Sequence, residues 1–144
     1  MASTTVYDLY RIERCSIRAN EGFSSNAGSE TRELACSITV KPRLLTHDAE
    51  SARRQLVLSL RVDATDEQLS ALPYFIEVVA RLYFHVDSAS SPDRRDVLSD
   101  SIRVAIGMLR GHIATETSVG VNGQFILPEL DIADIAEDFI GNRR

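Results

Sequence analysis

No stretch of this sequence holds the roughly 18 consecutive apolar residues that a bilayer-spanning helix needs. Glu77 and Arg81 interrupt the most apolar run, so membrane insertion is not expected. The N-terminus, Met1-Ala-Ser-Thr-Thr-Val-Tyr-Asp8, lacks both the basic and the apolar segment of a secretory signal, and the expected location is cytoplasmic. Basic residues never gather into a run. Arg53 with Arg54, Arg94 with Arg95 and Arg143 with Arg144 are isolated pairs in a chain of formal net charge −5, so no nucleic-acid partner is expected. Cysteine is scarce: Cys15 and Cys36 form no C-x-x-C, and both are expected as core-facing thiols.

Catalytic motifs are equally thin. There is no G-x-S-x-G turn to strain a nucleophile and no H-E-x-x-H to hold zinc. His85 and Asp87 share a strand face and form the one pair resembling an acid–base dyad, which reads as a solvated surface pair. His112 and Glu116 stand four apart on one helix face but fall short of the three protein ligands a metal site needs. Asp131, Asp134, Glu137 and Asp138 lack the alternation of a calcium loop and read as helix capping plus a solvated face. The glycine pair of Gly120-Val-Asn-Gly123 follows a helix, whereas a phosphate cradle precedes one. The expectation is a protein that is not an enzyme, with no metal and no cofactor.

What is present is enough apolar residue, 44% of 144, for a core in one domain spanning 1–144. Residues 6–18 alternate through Tyr10 and Ile12 and then change phase to Cys15 and Ile17, which predicts a strand with one bulge. Residues 19–31, rich in Gly, Ser and Asn, form a long loop whose one large apolar residue is Phe23. A second strand puts Leu34, Cys36, Ile38 and Val40 on one face, with Pro42 limiting its pairing. A third points Leu56, Leu58, Leu60 and Val62 one way. A fourth places Tyr74, Ile76, Val78, Ala80, Leu82, Phe84 and Val86 on one face and Val79 and Tyr83 on the half-polar other.

Ser91-Pro92 opens a long helix whose stripe Leu98, Ile102, Ala105, Ile106, Leu109 and Ile113 is assigned to the sheet. A second row, Val97, Ser101, Val104, Met108 and Thr115, is more than one sheet covers and predicts contact with another subunit's helix; the alternative is a partly wet monomer flank. Gly120 and Asn122-Gly123 end the helix, Pro128 keeps the apolar run after Gln124 irregular, and Asp131 caps a last helix carrying Ile132, Ile135, Phe139 and Ile140. The fold class is therefore α+β: a four-stranded antiparallel sheet followed by a long helix and a short C-terminal helix.

Leu9-Tyr-Arg-Ile-Glu-Arg-Cys-Ser-Ile17, Gln55-Leu-Val-Leu-Ser-Leu-Arg-Val62 and Tyr74-Phe-Ile-Glu-Val78 resemble the first, third and fourth strands of the SecB-like export chaperones. Asn122-Gly-Gln-Phe125 with Leu127-Pro-Glu-Leu-Asp-Ile132 is similar to the family's Gly-x-Phe-Pro-x-Leu-x-Leu-x-Pro segment, and the resemblance runs from Tyr7 to Phe139. In place of the family's Phe-Pro-Tyr-Ala-Arg helix stretch the chain has Ile106-Gly-Met-Leu-Arg110.

The resemblance implies an ATP-independent holdase, a homotetrameric dimer of dimers that grips unfolded polypeptide clients in apolar grooves. It assigns client binding to Phe23, Val79, Tyr83, Phe125, Ile126, Leu127 and Leu130, and subunit contacts to Val97, Ser101, Val104 and Met108. Two roles follow from it: protein export with handover to SecA, or protection of an antitoxin. Exporting members carry a SecA-contacting tail, whereas this sequence stops at Arg143-Arg144, which fits the antitoxin role. A rival reading is a small thioesterase-like enzyme or ligand carrier with Glu77 as its carboxylate, but such folds place the central helix among the first strands.

Overall fold

The computed structural model describes residues 5–24, 36–46, 53–86 and 94–141. Four strands, β1 (Thr5–Ala19), β2 (Ser37–Thr46), β3 (Arg53–Asp63) and β4 (Tyr74–Val86), precede helices α1 (Arg94–Thr117) and α2 (Ile132–Gly141). All pairings are antiparallel, in the order β1-β4-β3-β2, so β1 and β2 occupy opposite edges although they are neighbours in sequence. The connection after β1 therefore crosses from one edge to the other.

Period-two alternation reads directly in the two central strands. The even-numbered positions of β3 from Leu56 to Val62 and of β4 from Tyr74 to Val86 are buried on one face. The α1 stripe Leu98, Ile102, Ala105, Ile106, Leu109 and Ile113 lies buried in the same core. Each fully covered Val, Leu, Ile or Phe among them contributes on the order of 1.5–3 kcal/mol.

The edges depart from the expectation in three ways. First, β1 has two irregularities, between Tyr7 and Leu9 and between Ile12 and Arg14, where one bulge is expected. Asp8 and Glu13 are the extra residues: after Tyr7 the first keeps Tyr10 and Ile12 on the helix side, and the second keeps Cys15 and Ile17 there. Secondly, Pro42 does not end pairing: it sits opposite Leu58, and the ladder continues to Thr46 and Arg54. An edge strand tolerates proline because half of its N–H groups face away from the sheet. Thirdly, both cysteines face the core side as expected, but Cys36 is only half-buried where it packs against the core and Cys15 is exposed; both are free. Cys15 points to the helix side, but the helix layer leaves that face of β1 incompletely covered, and Tyr7, Tyr10, Ile12 and Ile17 are only half-buried there. Burial still pushes both thiols' pKa values up. Leu34, the Ser91-Pro92 helix start and Asp87 lie outside the described residues.

Candidate functional site

At one end of the sheet three connections are locked together by buried polar side chains. Asn20 Nδ2 donates to the carbonyls of Leu69 and Leu72, both at 2.7 Å, and its carbonyl accepts the Phe23 N–H at 3.1 Å. Asn122 Nδ2 donates to the Pro73 carbonyl at 2.8 Å and the Asn20 carbonyl at 3.3 Å. Tyr74 Oη donates to the Gly123 carbonyl at 2.7 Å and accepts the Asn122 N–H at 3.0 Å. The turn after α1 is thereby fixed beside the start of the crossover. Gly120 is required there, because a Cβ would stand 2.2 Å from Tyr74 Oη, and Gly123 adopts φ +84°. On this rigid turn Val119 and Val121 are 91% and 86% exposed. Sequence reasoning missed both, having read the stretch only as a helix end; two valines flanking a glycine were the available signal.

From Gly123 the chain runs back along α1 as an extended segment. Thr117 Oγ1 accepts the Phe125 N–H at 2.8 Å, Gln124 Nε2 donates to the Ala114 carbonyl, and Arg110 donates to the carbonyls of Leu127 and Pro128 at 3.0 and 3.2 Å. Phe125 and Leu127 are drawn into the core by this clamp. Ile126, on the opposite parity, is 53% exposed, and Leu130 is half-buried. Asp131 Oδ1 then accepts the Asp134 N–H at 3.1 Å and caps α2, as its position predicts. Asp131 is also the main reason the Asp134 pKa is raised. Glu137 pairs with Arg95, so α2 returns to the start of α1. The side chain of Ile140 lies outside those described.

The structure thus sorts the candidate residues into three places. Phe23, half-buried, stands at the locked end, while Ile126 and Leu130 line the helix layer. Phe125 and Leu127 are internal supports of that layer. Val79 and Tyr83 are on the other face of the sheet and do not converge with the rest. Of the second α1 row, Val97 and Ser101 are buried, with Ser101 Oγ donating to the Leu98 carbonyl; Val104 is half-buried, and Met108 and Thr115 are exposed. By helical spacing this row lies on the flank of α1 away from Arg110, and so away from the 124–141 chain.

The outer face of the sheet is charged. β1 contributes Arg11, Arg14 and Arg18, β2 Lys41 and Arg43, and the central strands Arg53, Arg61 and Arg81. Among the described residues four carboxylates, Asp8, Glu13, Asp63 and Glu77, answer them. Arg81 and Arg11 both bind Glu13, at 2.5 and 2.9 Å, and hydrogen bonds from these two hold the Glu13 pKa below its ordinary value. Arg11 also donates to Tyr83 Oη at 3.0 Å. His85 Nδ1 lies 3.0 Å from Asp8 Oδ2, a partner delivered by the first β1 bulge. Both side chains are about half open to water, which suits a surface pair better than a catalytic dyad. Glu77, the carboxylate of the thioesterase-like reading, is an exposed partner of Arg61. Among the described residues no three His, Cys, Asp or Glu side chains cluster as metal ligands, and no helix is long and apolar enough to cross a membrane.

No protein-family model matches this sequence, and no match is found among curated proteins. Comparison of folds is informative. The chain is similar to the SecB-like chaperone Rv1957 of Mycobacterium tuberculosis, solved in complex with a ChAD peptide from the Rv1956 HigA1 antitoxin. The match covers 88% of this chain and 91% of that one with TM-score 0.62 and 11% identity. The chain has the SecB-like fold. A protein of unknown function from Streptococcus agalactiae shares the architecture more loosely, at TM-score 0.52 and 11% identity over 90% of this chain and 100% of that one. Within the SecB-like fold of this chain the strands, the long helix and the short helix come in the order expected from the sequence.

Proposed function

We propose that this protein is an ATP-independent chaperone that holds nonnative polypeptides in the cytoplasm. The observation that carries the reading is the combination of exposed apolar side chains and an immobilised backbone. Val119, Val121 and Ile126 face water on chain segments pinned by Tyr74, Asn122, Thr117 and Arg110. Single exposed apolar residues are common on protein surfaces, but apolar side chains held out on a fixed backbone suit capture of extended apolar segments. Phe23 and Leu130 extend this surface, Phe125 and Leu127 set its shape from beneath, and Val79 and Tyr83 offer a second contact on the outer face.

Each subsite is weak. Ile126 is already about half covered, so full burial by a client adds on the order of 1 kcal/mol. Several subsites occupied along one client chain reach useful affinity through effective concentration, without sequence specificity.

Assembly as a homotetramer fits two open surfaces. The α1 row with Val104 and Met108 is one, and the half-covered helix side of the long edge strand β1 is the other. The antitoxin-directed role is favoured over handover to SecA by the fold neighbour that holds an antitoxin peptide. The reading is tested by aggregation of a chemically unfolded client. Wild-type protein should suppress it without ATP, and Ile126→Glu combined with Val121→Glu should abolish suppression while the mass in solution is unchanged. Equal suppression by wild type and variant would refute the proposed site.

A further inference from the structure

On the outer face, cross-strand register aligns Arg14 of β1, Val79 of β4, Ser59 of β3 and Lys41 of β2 in a single row across all four strands. The floor of the row is small, and the side chains on either side of it are long. A shallow depression of about 480 Å³ runs along it, bounded on one side by the Arg61–Glu77 pair. The neighbouring carboxylates are engaged: Glu13 by Arg81 and Arg11, Glu77 and Asp63 by Arg61. Arg14 and Lys41, at the two ends, have no ion pair among the described residues.

We propose that this trough binds extended client segments carrying two acidic residues four apart with small apolar residues between them. The proposal rests on the chaperone reading and names the class of client that the outer face takes. Three inter-strand steps separate Arg14 from Lys41 by about 14 Å, and an extended peptide covers that distance in about four residues. Val79 supplies the apolar contact between the two charges. Among the described residues the outer face carries twice as many basic as acidic side chains although the chain as a whole has net charge −5, so an acidic segment is steered to this face in particular. A polyphosphate fits less well, because the carboxylates beside the trough break up a continuous positive potential and Val79 puts an apolar contact between the two cations.

The test is fluorescence anisotropy on the full chain with three labelled, end-blocked peptides identical except for Asp, Asn or Lys at the two positions. The Asp peptide should bind about fivefold more tightly than the Asn peptide, as two exposed ion pairs predict, and the Lys peptide more weakly still. The preference should shrink with added salt. Arg14→Glu with Lys41→Glu should reverse the order, and Arg14→Gln with Lys41→Gln should flatten it. Binding of all three peptides within twofold, with suppression of client aggregation intact, would overturn the acidic-client proposal and leave the chaperone reading standing. Loss of both binding and suppression would overturn both. A single-stranded oligonucleotide that outcompetes the Asp peptide would likewise overturn the proposal.

Discussion

Replacing Gly120 by alanine should couple strongly to Tyr74, because one hydroxyl both fixes the turn and fills the space a methyl group would need. The added Cβ would lie 2.2 Å from Tyr74 Oη, 2.9 Å from its Cζ and 3.2 Å from the Thr117 carbonyl oxygen. Such overpacking costs about 1–3 kcal/mol. If the ring moves to relieve it, the hydroxyl also loses its bonds to Gly123 and Asn122, each worth about 1 kcal/mol net. Gly120→Ala should therefore destabilise by about 3 kcal/mol and Tyr74→Phe by about 2 kcal/mol. In the double variant the shortest contact disappears and no hydroxyl bond remains to be lost, so it should be no worse than Gly120→Ala alone, a coupling of about 2 kcal/mol. Urea unfolding of the four proteins at one fixed concentration measures this, so that any contribution of assembly to apparent stability is the same in all four. Additivity within about 0.5 kcal/mol would refute the claim that Tyr74 locks the turn carrying Val119 and Val121.

Removing the guanidinium in Arg110→Met leaves the Leu127 and Pro128 carbonyls without their donor and should cost about 1–3 kcal/mol, with Ile126 less firmly presented and client suppression reduced; unchanged melting would contradict the clamp. Tyr10 Oη is buried without a hydrogen-bond partner among the described residues, so Tyr10→Phe should leave stability unchanged or raise it by up to about 1 kcal/mol, read from thermal melts. Burial pushes the Tyr10 phenol up to about 12, so its contribution holds below pH 10.0 and is lost as pH rises through the folded value; Tyr10→Phe should remove the phenolate absorbance that appears near pH 12. The Glu13 carboxyl is held low by Arg81 and Arg11, so it stabilises the fold above its ordinary value of 4.5 and that contribution is lost as pH falls through the lower folded value. Glu13→Gln should accordingly flatten the acid limb of the melting-temperature profile, and an unaltered limb would show the network to be inert.

How much of this was legible beforehand varied with position in the sheet. The even-numbered residues of β3 and β4 declared their face because a strand with neighbours on both sides and a helix above has one fully buried side. β1 obeys the same rule only after two extra residues are discounted, and Asp8 is hard to see as a bulge because apolar Leu9 next to it points outward. Periodicity gives the direction of Cys15 but not whether anything covers it, and it is exposed. In the 124–131 segment apolar residues stand on both parities, so nothing local distinguishes the buried Phe125 and Leu127 from the exposed Ile126. The Thr117 and Arg110 bonds that decide it join residues 8 and 17 apart. Val79 and Tyr83 could be placed on a strand face, but register was needed to show that this face is remote from Ile126 and that Val79 lies between two cations.

The most direct test places a photo-activated crosslinker at Ile126 or Val121, with Asp138, exposed on α2, as the control position. With a chemically unfolded client, positions 126 and 121 should give covalent adducts that position 138 does not, and the native form of the same client should give none. Adducts of equal yield from all three positions, or from 138 alone, would show that unfolded chains are not held by these apolar side chains.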